Sequence, residues 1–528
     1  MTSLAVGAGL TATPIFAFLM TVCATLFLCV MFSSYGDELS EFYTARSSLT
    51  PLRNALAMCG DYVSVLILLV ATGSVALTGY DGLTLAVGSA TAMGVLLVLA
   101  QPLRNIGRFT LGDTFRARFP GRAARIAGAV VTLSYCLPLA MVQLSAAGRA
   151  TSVLVGLDGS GAGQVCTVLI GVIMICAAAM GGMRGISLLQ VVKTVLLLCT
   201  LVVLVLALLN HLGWNLSALL NGAAYGSGHP NAYYTPGLLQ GTSSTGRFEQ
   251  LSLLVTVILG AAVAPHLLMR LNTSRSGAAA RRSATGALGL VVVLHVMAVV
   301  LGLGAAALVG AHAVAAADPS GSSALLLLAV QLDSGGLLQA AVVSAVFITS
   351  LSVVAALLLA AASSLVHDVL AHTSRDGHMA APTEIKAVRW TTIVIGCATL
   401  ALATICYNWS VAFLAHVVAA VGASAILPAL VYELFWKGYT RTGLLWTIYG
   451  GLGCCLLLQF FGPAVSGAPA ALFPHSDFAW FPLHTTGLVS VPVGFLLGWA
   501  GSTLSTRRGA AHVPYAELET RALNGAST

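Results

Sequence analysis

Residues 54–73, NALAMCGDYVSVLILLVATG, form the segment on which the interpretation of the whole chain depends. The segment supplies the ~20 apolar residues that an α-helix needs to cross a bilayer. It nevertheless contains a carboxylate, Asp61, directly after Gly60. An aspartate at the centre of a membrane helix costs about 2.5 to 3.5 kcal/mol, and glycine lowers helix propensity by about 1 kcal/mol. We therefore predict a membrane helix that is interrupted near Gly60 and whose carboxylate faces the protein interior or an aqueous cavity.

The composition extends this interpretation to the rest of the chain. Of 528 residues, 58% are hydrophobic and only 8% are charged, whereas soluble globular domains carry about 25% charged residues. The sequence therefore predicts an all-α polytopic membrane protein. Thirteen segments are long and apolar enough to span a bilayer, at about residues 13–34, 54–79, 83–103, 126–148, 165–181, 185–209, 248–271, 284–311, 336–364, 389–407, 411–435, 443–461 and 483–503.

Basic residues predict the orientation of these spans. The loop after the third span, RNIGRFTLGDTFRARFPGRAAR at residues 104–125, holds six arginines and one aspartate. Cytoplasmic loops retain Lys and Arg, so we expect this loop in the cytoplasm. Thirteen spans then place the amino terminus outside the cell and the carboxyl terminus in the cytoplasm of a multi-pass plasma-membrane protein. The net charge of +7 is explained by topology and contact with the lipid bilayer, and no nucleic-acid partner is expected.

Several functional classes lack their motifs in this sequence. It contains no GxxxxGK[ST], HExxH or GxSxG pattern, so neither ATP-driven pumping nor hydrolysis is predicted. We expect no enzyme activity and no cofactor. All eleven cysteines lie in apolar segments, which favours small buried hydrophobes over disulfides or a metal cluster. No Lys or Arg precedes Arg46, so the first span is expected to remain as a helix.

A polar loop rich in Gly, Ser, Asn, Tyr and Pro divides the spans into two groups of five. Because five is odd, the two groups have opposite orientations in the membrane, as in inverted-repeat transporters. The predicted organisation is a leading helix at residues 1–50, a first repeat at 51–210, the loop at 211–247, a second repeat at 248–435, two additional helices at 436–506 and a cytoplasmic tail at 507–528.

The first helix of the second group carries a matching interruption. In the segment LGAAVAPHLLMR, Gly260 lowers helix propensity and Pro265 removes a helical hydrogen bond. The first helix of each inverted repeat is expected to be broken near the bilayer midplane. Because Gly and Pro are common in membrane helices anyway, spacing alone leaves open whether this symmetry is meaningful.

Six separate motifs in order carry a resemblance to a known family. They are FYTARSSLTPLRNALAMCGDY, TGYDGL, PLRNIGRFTLGDTF, GGMRGISLLQVVK, APHLLMR and ASSLVHDVL. Together they cover nearly the whole chain, which resembles the sodium:solute symporters and, within them, the cation/acetate or monocarboxylate permeases. The resemblance implies a five-plus-five inverted-repeat, LeuT-like transporter core that works by alternating access.

The function implied by the resemblance is uptake of a small monocarboxylate such as acetate, pyruvate or propionate, coupled to Na⁺ or H⁺. One alternative is cation symport of another small organic solute. A second alternative is a transporter-like sensor, against which the short tail argues because it leaves no room for a kinase domain.

The resemblance also implies a cation site between the second and ninth spans. Backbone carbonyls of Cys59 and Tyr62 match the ligands on the broken helix, and Thr349 and Ser352 match ligands on the ninth span. Val353 departs from the family pattern because it offers no side-chain oxygen. The only metal expected in the protein is Na⁺ at the cation-binding residues.

Three further residues are predicted to support the cation site. Asp61 would stabilise the unwound turn and contribute its charge; the alternative is that it caps a helix that begins later. Sodium-coupled relatives carry an aspartate where this chain has Gln190, and Lys193 follows one turn later. An amide and an ammonium should disfavour Na⁺ nearby, and a desolvated lysine can titrate, so H⁺ coupling stays open. Alternatively, Lys193 extends to the cytoplasmic headgroups.

Substrate binding is assigned to Gly60, Ser64 and Gln143. The Gln143 amide can donate hydrogen bonds to a carboxylate, although an interhelical hydrogen bond is the competing interpretation. Ser64, one turn beyond Asp61, carries the same ambiguity.

Four residues beyond these are candidates for gating or proton movement. His266 and Arg270 follow the second break and are gating candidates, with an interfacial anchor as the alternative for Arg270. His367 and Asp368 end the ninth span, where a helix-terminus role is the simpler interpretation and a proton relay is the alternative.

Overall fold

The structure, a computed structural model, describes residues 12–31, 38–155, 157, 161–333, 335–371, 379–467, 471–505 and 514–525. Over these ranges the chain is almost entirely helical, as the all-α prediction requires. Parts of the predicted leading segment and tail, residues 1–11, 32–37, 506–513 and 526–528, lie outside the described residues.

The first half of the described chain contains ten α-helices. They are α1 (Ala12–Met31), α2 (Leu39–Thr44), α3 (Pro51–Tyr62), α4 (Val65–Thr78), α5 (Tyr80–Ile106), α6 (Leu111–Arg118), α7 (Arg122–Val155), α8 (Ala162–Met180), α9 (Met183–His211) and α10 (Leu216–Gly226).

The second half of the described chain contains the remaining helices, three of which continue into π-helical turns. They are α11 (Ser244–Ala261), α12 (Pro265–Leu271), α13 (Gly277–Leu308), α14 (Ala311–Ala317), α15 (Ala324–Leu332), α16 (Leu337–Ser363, then π to Leu370), α17 (Ala381–Ile405), α18 (Val411–Val421, then π to Ile426), α19 (Leu427–Phe435), α20 (Arg441–Leu445, then π to Gly450), α21 (Gly451–Phe460), α22 (Gly487–Leu504) and α23 (Tyr515–Asn524).

The helices reproduce the predicted pattern of spans. Eleven described helices or helix runs are long and apolar enough to cross a membrane, and the bent pair α3–α4 supplies a twelfth. A shorter apolar helix, α1, lies at the first predicted span. Each of the thirteen predicted segments therefore overlaps a described helix or helix run, and the span pattern is confirmed.

The predicted break in the first repeat is present and sharp. The axes of α3 and α4 differ by 63°. Val63 has non-helical backbone angles, and the extended Ser64 caps α4 by accepting a hydrogen bond from the Ile67 amide at 3.3 Å. A serine at this position satisfies an amide that the new helix leaves without a partner.

A second interruption occurs at the corresponding helix of the second repeat. α11 ends at Ala261 and α12 begins at Pro265, so residues 262–264 separate them. Proline at the first position of α12 has no amide hydrogen to leave unpaired. Both predicted interruptions are therefore present, but only the first bends its span by more than 40°, while Ser244–Leu271 still counts as one membrane-crossing run.

The ninth span, α16, lies at the centre of the bundle. Its most apolar 18-residue window is completely buried, and it packs against α1, α7, α8 and α9. A helix that is apolar on all sides belongs in the interior of a bundle. Ser352 on this helix lies near the break between α3 and α4, because Gln190 Nε2 donates both to Asp61 and to the Ser352 carbonyl.

The carboxyl-terminal helix α23 docks onto the bundle. Leu518 and Ala522 are buried, and the Asn105 side chain donates a 2.7 Å hydrogen bond to the Ala522 carbonyl. The last described part of the predicted tail is thus attached to the end of α5, beside the arginine-rich loop.

Glycine permits a close approach between α11 and the end of α18 with the π-helical turn that follows it. A Cβ atom added to Gly260 would overlap the carbonyl oxygen of Ala419, and one added to Gly422 would lie 2.5 Å from the Gly260 carbonyl oxygen. Both obstacles are backbone atoms, which cannot rotate away. Gly260 therefore contributes helix packing as well as low helix propensity.

We expect Gly260→Ala to lower the melting temperature of the detergent-solubilised protein, because overpacking a close helix contact costs about 1 to 3 kcal/mol. The matched control is Gly289→Ala on α13, where an added Cβ has no heavy atom within 4 Å. That variant should melt at the parental temperature or slightly above it, since alanine is the better helix former. Equal melting temperatures for the two variants would contradict the packing role.

Candidate functional site

The break between α3 and α4 receives the side chain of Lys193 from α9. Its Nζ donates hydrogen bonds to the carbonyl oxygens of Gly60 and, at 2.6 Å, Val63. Lys193 is completely buried. Its ammonium therefore lies in the protein interior, and extension toward the headgroups does not describe this side chain.

Gly60 allows α9 to come this close. A Cβ atom on Gly60 would lie 2.8 Å from the Gln190 carbonyl oxygen and 2.8 Å from the Thr194 hydroxyl. Thr194 also donates to the Leu56 carbonyl at 2.9 Å. The glycine predicted for substrate binding thus has a packing function, and its contact with substrate stays a prediction.

Asp61, the residue after Gly60, forms a buried ion pair with Arg270. Its Oδ2 accepts a hydrogen bond from Arg270 Nε at 2.6 Å, and its Oδ1 accepts one from Gln190 Nε2 at 2.6 Å. Asp61 and Arg270 are each 1% exposed, so the prediction that the carboxylate faces the interior is confirmed. Arg270 also donates to the Ser187 hydroxyl, a partner that the sequence did not indicate.

The ion pair joins the two broken helices, because Asp61 is on α3 and Arg270 is on α12. His266, also on α12, has its Nε2 3.4 Å from the Asp61 carbonyl oxygen. Its Nδ1 is buried with no hydrogen-bond partner among the described residues. The two gating candidates therefore both contact the first break, and an interfacial anchor does not describe the buried Arg270. Gating itself stays a prediction.

Two of the predicted cation-binding residues, Cys59 and Tyr62, lie at the end of α3, and the other two, Thr349 and Ser352, lie on α16. Most of their carbonyl oxygens already accept hydrogen bonds. The Cys59 carbonyl accepts one from the Val63 amide at 2.8 Å, and the Tyr62 carbonyl accepts one from the Ser64 amide at 2.9 Å. The Ser352 carbonyl accepts one from Gln190 Nε2 at 3.0 Å. The carbonyls that converge on a positive charge are instead those of Gly60 and Val63. That charge is the Lys193 ammonium.

On α16 the side chains offer few further oxygen ligands for a cation. The Ser352 hydroxyl donates to the Thr349 carbonyl at 3.1 Å, and Val353 is buried and presents only methyl groups. The Thr349 hydroxyl is buried without a partner in the described part of the chain. It is the one hydroxyl of the predicted set that could turn toward an ion without first losing a contact.

Charge also bears on whether Na⁺ fits at the break. An ion that shared the Gly60 and Val63 carbonyls with Lys193 would be a like charge at close range. At about 4 Å, two unit charges repel by about 4 kcal/mol for an effective dielectric constant of about 20. The arrangement of Lys193 and Gln190 therefore fits Na⁺ poorly, although the cation-binding assignment itself stays a prediction.

A cavity of about 490 Å³ begins at the break. Asp61, Ser64 and His266 lie at its inner part, and most of the remaining lining is apolar. Leu239 and Ser320 belong to loops at the end of the bundle opposite the arginine-rich loop and also line the cavity. The cavity therefore connects the break with that opposite end.

The first turn of α4 faces this cavity, since Ser64 and Leu66 both line it. The Gln143 side chain on α7 accepts a hydrogen bond from the Val65 amide at 3.2 Å. Its amide nitrogen is buried and has no partner among the residues that the structure describes. The structure thus brings Ser64 and Gln143 together at a helix amino terminus, where amide groups and the helix dipole favour an anion.

A separate buried network ties the helices together at the arginine-rich end. His367 lies 2.8 Å from Glu384 through Nδ1 and 3.1 Å from Asp113 through Nε2. Tyr43 donates to Glu384 at 2.7 Å. The network joins α2, α6, the end of α16 and α17, so His367 is more than a helix-terminus residue. The sequence did not single out Asp113 or Glu384, which are distant from His367 in the chain.

Asp113, His367 and Asp368 place three possible metal ligands within 4.8 Å of one another. Their polar atoms are already engaged, since Asp113 pairs with Arg125 at 3.3 Å and Asp368 accepts hydrogen bonds from Thr110 and Ser364. Burial alone would raise the pKa of Asp113, but the hydrogen bond and charge of His367 and the charge of Arg125 hold it below its usual range. The group is therefore best described as an ion-pair network.

Comparisons with known proteins agree with this geometry. The sodium:solute symporter family model matches residues 42–451. The monocarboxylic acid transporter of Corynebacterium glutamicum is 36% identical over 519 residues, covering 96% of this chain and 94% of that protein. The uncharacterized symporter YwcA of Bacillus subtilis is 34% identical over 510 residues, covering 96% and 97% respectively.

Solved structures support the fold. A Na⁺-coupled sialic acid symporter in a substrate-bound outward-open state superposes with a TM-score of 0.69 at 14% identity, covering 93% of this chain and 98% of that one. The nucleobase-cation-symport-1 transporter Mhp1, in a closed conformation with bromovinylhydantoin, gives a TM-score of 0.51 at 15% identity, covering 91% and 98%.

These findings agree with one another on the kind of protein. The core is a five-plus-five inverted repeat of the LeuT type, and the chain is a multi-pass membrane transporter rather than an enzyme. With the family model across most of its length and two full-length relatives above 30% identity, the chain belongs to the sodium:solute symporter family of cation-coupled symporters.

Proposed function

We propose that this symporter takes up a small monocarboxylate such as acetate, pyruvate or propionate across the plasma membrane. The observation that carries the proposal is the inner end of the cavity, where an anion-favouring helix terminus meets apolar walls. A carboxylate needs hydrogen-bond donors at one end, and its short carbon chain needs apolar contacts at the other. The name of the Corynebacterium glutamicum relative, monocarboxylic acid transporter, supports the same substrate class.

The carboxylate would bind at the first turn of α4. The Ser64 hydroxyl, which lines the cavity, and the free amide nitrogen of Gln143 are side-chain donors at the amino terminus of this helix. Hydrogen bonds to a charged group contribute about 1.5 to 3 kcal/mol each. Two such bonds and the helix dipole would orient the substrate with its carbon chain toward the apolar lining.

The size of the cavity indicates how it would be used. About 490 Å³ is within the range of about 300 to 1,000 Å³ that holds drug-sized ligands, so two to four carbon atoms would fill only a part. The substrate would occupy the inner end, and the remainder would serve as the entry route. If the arginine-rich loop is cytoplasmic, this route opens to the outside.

The ion pair between Asp61 and Arg270 would couple the substrate site to the conformational change. It links the broken helices of the two repeats, and relative movement of repeats is the basis of alternating access. His266 contacts the same break and also lines the cavity. A rearrangement at the first break is thereby transmitted to the second one.

Purified protein in proteoliposomes should accumulate labelled acetate when an inward cation gradient is imposed, because symport couples the two movements. Unlabelled propionate and pyruvate should compete with the label, while an aromatic carboxylate tests how far the apolar lining extends. Liposomes without protein provide the baseline. A transporter-like sensor would bind acetate without accumulating it, and accumulation of an unrelated solute alone would favour the alternative symporter.

Asp61→Asn should lower the initial uptake rate about 100-fold or more. The substitution leaves Arg270 unpaired in the interior, and breaking a buried ion pair from one side costs about 3 to 5 kcal/mol. The control is Asp477→Asn, which changes an exposed carboxylate in a loop. Size-exclusion chromatography should verify that both variants fold. Normal uptake by folded Asp61→Asn would exclude the proposed coupling role.

Gln143→Leu should raise the KM for acetate about 10-fold, equivalent to the loss of one hydrogen bond to a charged group at about 1.5 kcal/mol. Gln250→Leu is the matched control, because the Gln250 amide nitrogen, unlike that of Gln143, is already used in a hydrogen bond, to the Thr84 hydroxyl on a neighbouring helix. An unchanged KM with a lower maximal rate would indicate that Gln143 serves only as an interhelical hydrogen bond.

A further inference from the structure

The carbonyls freed by the first break already have a cation. Gly60 and Val63 are three residues apart, and their carbonyl oxygens converge on the Nζ of Lys193. Two of the three N–H donors of this ammonium are used in these bonds. A covalently attached cation thus lies at the unwound turn, where a symporter of this architecture coordinates its ion through backbone oxygens.

Gln190 reinforces the arrangement. Its amide nitrogen donates to Asp61 and to the Ser352 carbonyl, so an N–H group is directed to oxygens that a metal ion would need. The neighbouring carboxylate of Asp61 is neutralised by Arg270 at 2.6 Å. The break consequently offers no free negative charge, and of the oxygens of Asp61, Gln190 and the Ser352 carbonyl only Gln190 Oε1 has no hydrogen-bond partner among the described residues.

We propose that the Lys193 ammonium takes the place of Na⁺ at the break, so that substrate binding and uptake by this protein do not require Na⁺. The inference rests on the proposed transport of a monocarboxylate and concerns only the coupling ion. The titratable groups near Lys193 are Asp61 and Cys59 on α3 and His266 on α12, and Arg270 on α12 pairs with Asp61. By donating to the Gly60 and Val63 carbonyls, Lys193 stabilises the unwound turn as a bound ion would.

Ion binding can be tested without transport. The melting temperature of the purified protein is measured in NaCl and in choline chloride at equal ionic strength, because an ion that binds the folded state raises it. The parent protein should melt at the same temperature in both salts. A higher melting temperature in NaCl alone would overturn the inference.

Uptake of labelled acetate into proteoliposomes is then driven either by an inward Na⁺ gradient or, with choline replacing Na⁺, by an inward pH gradient. The parent protein should accumulate acetate in choline, with no stimulation when Na⁺ is added. Accumulation that stops in choline and returns with Na⁺ would overturn the inference and leave the proposed function intact. If neither gradient drives acetate uptake, the proposed function is wrong. The melting experiment would then still show whether Na⁺ binds the folded protein.

Two variants examine the lysine itself. Lys193→Met should lose uptake in choline, because the Gly60 and Val63 carbonyls then have no cation. The double variant Gln190→Asp with Lys193→Met restores a carboxylate and should show a melting temperature that rises with NaCl and not with choline chloride. Lys386→Met, at an exposed lysine on α17, is the matched control and should behave as the parent. Uptake by Lys193→Met equal to that of the control would overturn the inference.

Discussion

The ion pair between Asp61 and Arg270 is the interaction on which the rest of the site depends. It connects residues 209 positions apart and fixes the broken helix of one repeat against that of the other. Neither charge has access to water, so each is tolerable only in the presence of its partner. The pair therefore links the two breaks directly, which is the basis of the coupling proposed above for alternating access.

Around this pair, the polar groups are divided by function. On one side, Lys193 donates to the Gly60 and Val63 carbonyls of the unwound turn, and Gln190 donates to the Ser352 carbonyl on α16. On the other side, Ser64 and the start of α4 face the apolar cavity. Lys193 occupies the unwound turn, and the start of α4 is where we propose that the substrate anion binds. At the far end, the network centred on His367 holds four helical segments together while the cavity leads to the opposite end.

Much of the fold follows from local sequence. Bilayer thickness and composition predict the thirteen spans, and low helix propensity at Gly60 and the missing amide hydrogen at Pro265 predict the two breaks. These are properties of short segments, and they do not depend on neighbours. The same logic could not find the docked helix α23, whose Leu518 and Ala522 acquire a buried surface only when the end of α5 is in place.

The sequence by itself determined that Asp61 must be shielded from lipid, because an exposed carboxylate in hydrocarbon is too costly. Only the tertiary structure decided that Arg270 is its partner and that Lys193 enters the break rather than extending to the membrane surface. It also decided which carbonyls converge, those of Gly60 and Val63, because backbone oxygens have no signature in sequence. Local propensity says where a helix breaks, whereas the packing of distant helices decides what fills the break.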